Sequence, residues 1–240
     1  MASENSNKPK RWAVRILKSL AIAGAVLLTL AVAAHLAYMY SGSGQWEKAI
    51  DKQGITVFTL KAPGSLVKRV RGVTHVRTTM NTAVSLMMKD AEAVENCREW
   101  FPGCTDTQVV QPWNPKDRTW LILFRVRAFR PFAAREFLVR GRATQDPRTK
   151  AVLIEYTGVP DEIPENPCCV RVPHLANSWR FTPLDNGTVE VENHMNVDIG
   201  IPYFMFNRFV PGGQWRLLGK LQKSLDKRKG ATSEGIQEKT

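Results

Sequence analysis

The stretch IPYFMFNRFVPGGQWRLLGKLQKSL, Ile201–Leu225, sets Tyr203, Phe204, Phe206 and Phe209 ahead of Pro211-Gly212-Gly213, then continues with Trp215 and leucines at 217, 218, 221 and 225. The leucines keep a helical beat, so a long C-terminal helix with one apolar face is predicted here. Relative to alanine, an interior glycine costs such a helix roughly 1 kcal/mol and an interior proline roughly 3 kcal/mol. The predicted helix is therefore either kinked or able to open in its middle. Its apolar face needs a surface to cover, and the preceding sequence supplies one in strands.

Period-two alternation bounded by turn residues predicts strands over 55–62, 65–78, 105–113, 118–129, 135–146, 151–159, 178–184 and 188–198. Their short connections imply antiparallel hairpins. Asn186-Gly187 is the most legible turn, because both residues tolerate positive φ. A helical pattern over 79–100, broken around Lys89–Ala91, separates the first strands from the rest. This order predicts an α+β fold in which one curved antiparallel sheet wraps around the last helix.

Alternation also sorts side chains by face. Trp120, Ile122 and Phe124 share one face with Phe137 and Val139 of the next strand and with Ile154 and Tyr156 of the one after, whereas Leu121, Leu123, Arg125 and Arg127 share the other. One concave face is thus apolar and aromatic. Periodicity alone leaves open whether it encloses a packed core or a cavity. Tyr156, Ser178 and Asn193 are the candidate polar groups on the concave side, with Arg125 or Arg127 replacing them if the faces are inverted.

The N-terminal segment stands apart. No charged residue occurs from Ser19 through Trp46, and Leu20–Tyr40 is nearly all apolar, which meets the ~20 residues a bilayer-spanning helix requires. Lys8, Lys10, Arg11, Arg15 and Lys18 precede it, against a single Glu4. The positive-inside rule then places residues 1–18 in the cytoplasm, a transmembrane signal anchor over 19–40, a linker over 41–45 and a globular domain over 46–228 across the membrane, in the periplasm. A cleaved signal peptide releasing the domain is the alternative, since it shares the basic start and apolar centre. Residues 229–240 are polar and aperiodic, which predicts a disordered tail.

With 240 residues, 43% of them hydrophobic, the chain holds one sizeable domain. A net charge of +12 suits an anionic membrane surface. Nucleic acid is not expected as a partner, because the basic residues are spread along strands without a recognition motif. Cys97, Cys104, Cys168 and Cys169 form no CxxC pair and the four histidines are scattered, so neither a metal nor another cofactor is expected. Cys97 and Cys104 are either bridged or core neighbours, whereas a bridge between adjacent Cys168 and Cys169 is disfavoured by backbone strain.

In family order, GSLVKRVRGV (Gly64–Val73), REWFPGCTDTQVV (Arg98–Val110), RPFAAREFLVR (Arg130–Arg140), VRVPHLANSWRFTPL (Val170–Leu184) and IPYFMFNRFVPGG (Ile201–Gly213) resemble a START domain, the helix-grip lipid-binding and lipid-transfer module, in its membrane-anchored bacterial form. The resemblance implies a tunnel between sheet and C-terminal helix holding one hydrophobic ligand, a sterol, phospholipid or similar lipid. Its walls would be Trp120, Ile122, Phe124, Phe137, Val139, Ile154, Tyr156, Ser178 and Asn193 from the sheet, with Phe206, Val210 and Leu217 from the helix. Pro211, Gly212 and Gly213 would form the gate or hinge, and Phe129, Arg130, Phe132 and Arg135 would dock at the membrane. Loops 127–135 and 160–169 would flank the tunnel mouth. No enzymatic activity is expected. Two alternatives stand beside transfer: a helix-grip enzyme of the polyketide cyclase or aromatase type, which would have to recruit Glu155, Glu192 or His194, and a ligand-dependent, membrane-tethered sensor.

Overall fold

The computed structural model describes residues 8–88, 94–101, 103–127, 131–233 and 235–239. An N-terminal helix, α1 (Lys8–Tyr40), leads into β1 (Trp46–Lys52), β2 (Ile55–Leu60) and β3 (Arg69–Arg77). Two short helices follow, α2 (Met80–Met88) and α3 (Val94–Trp100), and the predicted break at Lys89–Ala91 lies outside the described residues. The chain then runs through β4 (Cys104–Asn114), β5 (Thr119–Val126), β6 (Ala134–Gln145), β7 (Val152–Gly158), β8 (Cys169–Arg171), β9 (His174–Pro183) and β10 (Thr188–Asp198) before the last helix, α4 (Tyr203–Asp226).

The strands form one sheet in the order β1-β2-β3-β10-β9-β7-β6-β5-β4, with β8 paired in parallel to β6 and all other pairs antiparallel. Hairpins make most of the neighbours. The predicted Asn186-Gly187 turn joins β9 to β10, with Gly187 at φ 72° and the Asn186 side chain accepting from the Thr188 amide. The segment carrying α2 and α3 takes the chain from β3 to the far edge at β4, and β10 returns to close against β3. Alternation is plain in β2, whose buried residues are Ile55, Val57 and Thr59.

Helix α4 lies on the concave face of this sheet. Its buried residues Phe206, Val210, Gln214, Leu218, Leu221 and Leu225 keep the expected 3–4 spacing. It seats closest at Gly72 of β3, where an added Cβ would lie 2.5 Å from Leu218 Cδ1. The opposite face carries a second small cluster, Leu121, Leu123 and Leu138, covered by Val110, Val159 and Ile163.

The structure corrects four expectations. β1 and β8 are strands that the sequence pattern does not announce, because β1 is an edge strand of mostly charged, exposed residues and β8 spans only three. β9 starts at His174 rather than Ser178. Cys168 and Cys169 are joined as a vicinal disulfide, as Cys97 and Cys104 are across α3 and β4. Finally, the C-terminal tail, expected to be solvated, is held to the body. Glu238 accepts from the amides of Met80 and Asn81 at the start of α2, Gln237 pairs with Gln145, and Ile236 packs against the core. The amides at the start of α2 have no partner within the helix and reward a carboxylate, and no local pattern in the tail reveals that destination.

Candidate functional site: a neutral cavity under the last helix

Between the sheet and α4 lies a cavity of about 290 Å³. Its floor is Thr107 of β4, Ile122 and Phe124 of β5, Val139 of β6, Tyr156 of β7, Leu175, Asn177 and Trp179 of β9, and Asn193 and Met195 of β10. Val210, Gly213, Gln214 and Leu217 of α4 form the roof, and Met87, Cys97 and Phe101 the side. The floor residues arise from strand alternation, and the roof from the inner stripe of α4.

Of the residues expected to wall the tunnel, Ile122, Phe124, Val139, Tyr156, Asn193, Val210 and Leu217 line this cavity. Trp120, Phe137, Ile154 and Phe206 share the concave side but are absorbed into the packed core. Trp120 fills the notch left by Gly141, its neighbour across β5 and β6, where an added Cβ would lie 2.2 Å from the indole. Phe137 stacks behind Phe124 at 4.7 Å. Ser178 is a clear correction: with Asn177 and Trp179 facing the cavity, alternation turns its side chain to the outer face, and only its carbonyl serves the interior, accepting from Asn193. Leu175 and Asn177 precede the predicted start of this strand and come into view only when it is extended back to His174, whereas Trp179 lies within the predicted strand, on the face opposite Ser178.

The polar part of the wall is a chain of amides. Gln214 Nε2 donates to Asn193 Oδ1 at 2.8 Å, Asn193 Nδ2 donates to the Ser178 carbonyl at 2.9 Å, and Asn177 Nδ2 donates to the His194 carbonyl at 2.9 Å. Tyr156 donates its hydroxyl to the Met87 carbonyl at 2.9 Å, which ties β7 to α2. No Asp, Glu, Lys, Arg or His lines the cavity among the described residues.

The charges sit on the outer face instead. Glu136, 1% exposed, accepts from Arg125 Nε at 2.7 Å and from Arg171 Nη2 at 2.7 Å, while Arg125 also meets Asp106. Arg171 further donates to the carbonyls of Pro160, Ile163 and Pro164, holding that loop over the outer cluster. Burial pushes the Glu136 carboxyl up, but the hydrogen bonds from Arg125 and Arg171 outweigh it and hold the group below the usual carboxylate range. Glu192 and His194, 2.6 Å apart, alternate with the cavity residues Asn193 and Met195 along β10 and so lie on the outer face. Glu155 is likewise exposed. Among the described residues there is no metal-ligating cluster.

The proposed gate is part of a continuous helix: α4 runs through Pro211, and of Pro211, Gly212 and Gly213 only Gly213 lines the cavity. The membrane-docking set changes more. Phe129 and Arg130 lie outside the described residues. Phe132 is half-buried under Arg135, which is itself buried and donates to the carbonyls of Ala133, Ile199 and Gly200. Arg135 therefore clamps the turn into α4 and is unavailable to headgroups.

Helix α1 is long and apolar enough over Arg11–Tyr40 to cross a membrane, and none of its apolar window is buried in the protein. Its last turn meets the start of α4. Tyr38 stacks on Tyr203 at 4.8 Å and accepts from Asn207 at 2.8 Å. Lys61 donates to the Met39 and Ser41 carbonyls, capping the helix end with positive charge. Beside this junction Phe204 and Phe209 are 66% and 60% exposed.

A sheet closed over one long helix, with an apolar cavity between them, defines a helix-grip protein. The fold is that of the START domain. The STAR-related lipid transfer protein of Xanthomonas axonopodis matches with a TM-score of 0.66 at 23% identity, over 77% of this chain and 99% of that one. The human StarD13 (DLC2) lipid transfer and protein localization domain matches at 0.63 and 13% identity, over 83% and 96%. Human StAR-related lipid transfer protein 5 matches at 0.59 and 19% identity, over 85% and 98%. In sequence, an uncharacterized protein of Pseudomonas aeruginosa is 24% identical over 192 residues, 76% of this chain and 88% of its own. No family model matches the chain.

Proposed function

We propose that the protein binds a single lipid in the cavity under α4 and transfers or presents it at the membrane in which α1 is anchored, without chemical catalysis. The observation that carries this reading is the apolar cavity itself, roofed by a helix that has a glycine where a side chain would otherwise fill the space. Apolar surface withdrawn from water contributes about 25 cal/mol per Å², so a greasy ligand is the chemistry the walls reward. The Xanthomonas and human proteins of the same fold are lipid transfer proteins by name, which agrees with it.

The junction of α1 with Tyr203 and Asn207 would hold the first turns of α4 at the bilayer surface. There Phe204 and Phe209 can enter the interface beside exposed Arg208. Val210, the first roof residue, follows directly, so opening at Pro211–Gly213 would face the membrane. We assign the globular domain to the periplasm: the basic flank precedes α1, and two disulfides suit an oxidising compartment.

Two results are expected. Full-length protein purified in detergent should retain one lipid per chain by native mass spectrometry and should move that lipid between vesicles; a chain with no ligand and no transfer would overturn the reading. An alkaline phosphatase fused after Thr240 should be active in bacterial cells. An inactive fusion, with an active one when a cytoplasmic reporter replaces it, would reverse the topology.

A further inference from the structure

The electrical character of the cavity narrows the ligand class, given that the cavity holds a lipid. We infer that the buried part of the ligand is uncharged and carries a hydroxyl, making it an alcohol of a compact chain or ring system rather than a carboxylate or phosphate lipid.

The polar wall groups are all neutral: Thr107, Tyr156, Asn177, Asn193 and Gln214. An ionised group moved from water into such a site without a cation faces a large desolvation cost. The nearby cations cannot supply one. Arg125 and Arg171 point to the opposite face of the sheet and are held by Asp106, Glu136 and loop carbonyls, and Arg135 is held by the turn before α4. Strand alternation enforces this separation, because Glu192 and His194 flank the cavity residue Asn193 on β10, and Glu155 precedes the cavity residue Tyr156 on β7, so all three face outward.

The amide chain explains the hydroxyl. Asn193 uses both ends of its amide, donating to Ser178 and accepting from Gln214, and is 1% exposed. Gln214 is thereby oriented through its nitrogen, and Asn177 is oriented through its own bond to His194. No hydrogen bond among the described residues takes Gln214 Oε1 or Asn177 Oδ1. Two fixed carbonyl acceptors on the wall reward a ligand that donates a proton, which an alcohol does and an ionised acid does not. Size points the same way: about 290 Å³ sits at the small end of the ~300–1,000 Å³ range of ligand pockets. That volume suits one chain or ring system better than two acyl chains.

The test compares probes that differ only in charge. Full-length protein in detergent micelles is titrated at pH 8 with radiolabelled dodecanol against dodecanoate, and with a steroid alcohol against its sulfate ester. Binding is counted after gel filtration, with the Gly213→Phe chain subtracting micelle background. At least one alcohol should bind about 30-fold or more tighter than its anionic partner, reflecting the cost of an unpaired buried charge. Of Gln214→Leu and Asn177→Leu, the one that removes the carbonyl taking the single hydroxyl proton should weaken the alcohol about 5–10-fold, the worth of one neutral hydrogen bond, with little effect on the anion; neither substitution weakening the alcohol would overturn the hydroxyl. Anions binding as tightly as alcohols would overturn the inference while leaving lipid binding intact. No binding of any probe above the Gly213→Phe background would overturn both.

Discussion

A Gly213→Phe chain is expected to fold as stably as the natural protein and to carry no lipid. A Cβ built at Gly213 meets no atom within 4 Å, although the residue lines the cavity from inside α4. The new ring would enter the space the ligand occupies without striking a neighbour at its root. Phenylalanine is a better helix former than glycine by about a few tenths of a kcal/mol, and the ring gains apolar burial of its own. Melting temperature should hold or rise. Denying the ligand ~110 Å² of apolar contact at about 25 cal/mol per Å² corresponds to about 100-fold in affinity, so retained lipid should fall to background. Gly212→Phe is the control. That glycine does not line the cavity, and its Cβ would meet only Arg216 Nη1 at 3.8 Å, so lipid retention should be unchanged. A Gly213→Phe protein still loaded with lipid would place the ligand elsewhere.

How much of this was legible depended on whether a residue's destination is set locally. The cavity floor at Ile122, Phe124, Val139 and Tyr156 could be read because alternation in β5, β6 and β7 fixes which face each side chain takes, and the last helix because its leucines repeat. The division of that apolar face between core and cavity could not. Trp120 is core because Gly141 leaves room for it on the adjacent strand, and Phe137 is core because Phe124 stands in front of it. Both facts belong to pairs of strands rather than to either one. Arg135 was expected at the membrane for its aromatic neighbours, but its side chain ends at the Ile199 and Gly200 carbonyls, 64 and 65 residues along the chain. The same holds for Glu238 at the start of α2, 158 residues from Met80. Long polar side chains bind whatever unsatisfied group the fold brings within reach, and sequence spacing says nothing of such meetings. Asn193 was found because it is an amide on an otherwise apolar face. Its partner Gln214 is not legible in the same way, because it is a polar residue directly after Pro211-Gly212-Gly213 and meets Asn193 only when α4 is laid on the sheet.

Replacing Glu136 with glutamine should produce a large stability loss. The carboxylate is buried between Arg125 and Arg171, and Arg171 is 6% exposed. Removing one partner of a buried ion pair leaves the other charge unpaired, which typically costs about 3–5 kcal/mol. At about 2–4 °C per kcal/mol for a chain of this size, the melting temperature should drop by roughly 6–20 °C. The effect must also depend on pH, in a direction the site dictates. Glu136 is held below its ordinary value of 4.5, so its contribution is fully present above that value and is lost as pH falls through the lower, folded one. The gap between natural and Glu136→Gln proteins should therefore be widest near pH 7 and should shrink as the pH is brought below ~4.5, where protonation of the natural carboxyl imitates the substitution. Thermal unfolding of the two full-length chains across that range measures it. A gap that stays constant down to acid would mean that the glutamine acts through packing, and that Arg125 and Arg171 owe their positions to Asp106 and the loop carbonyls rather than to the charge of Glu136.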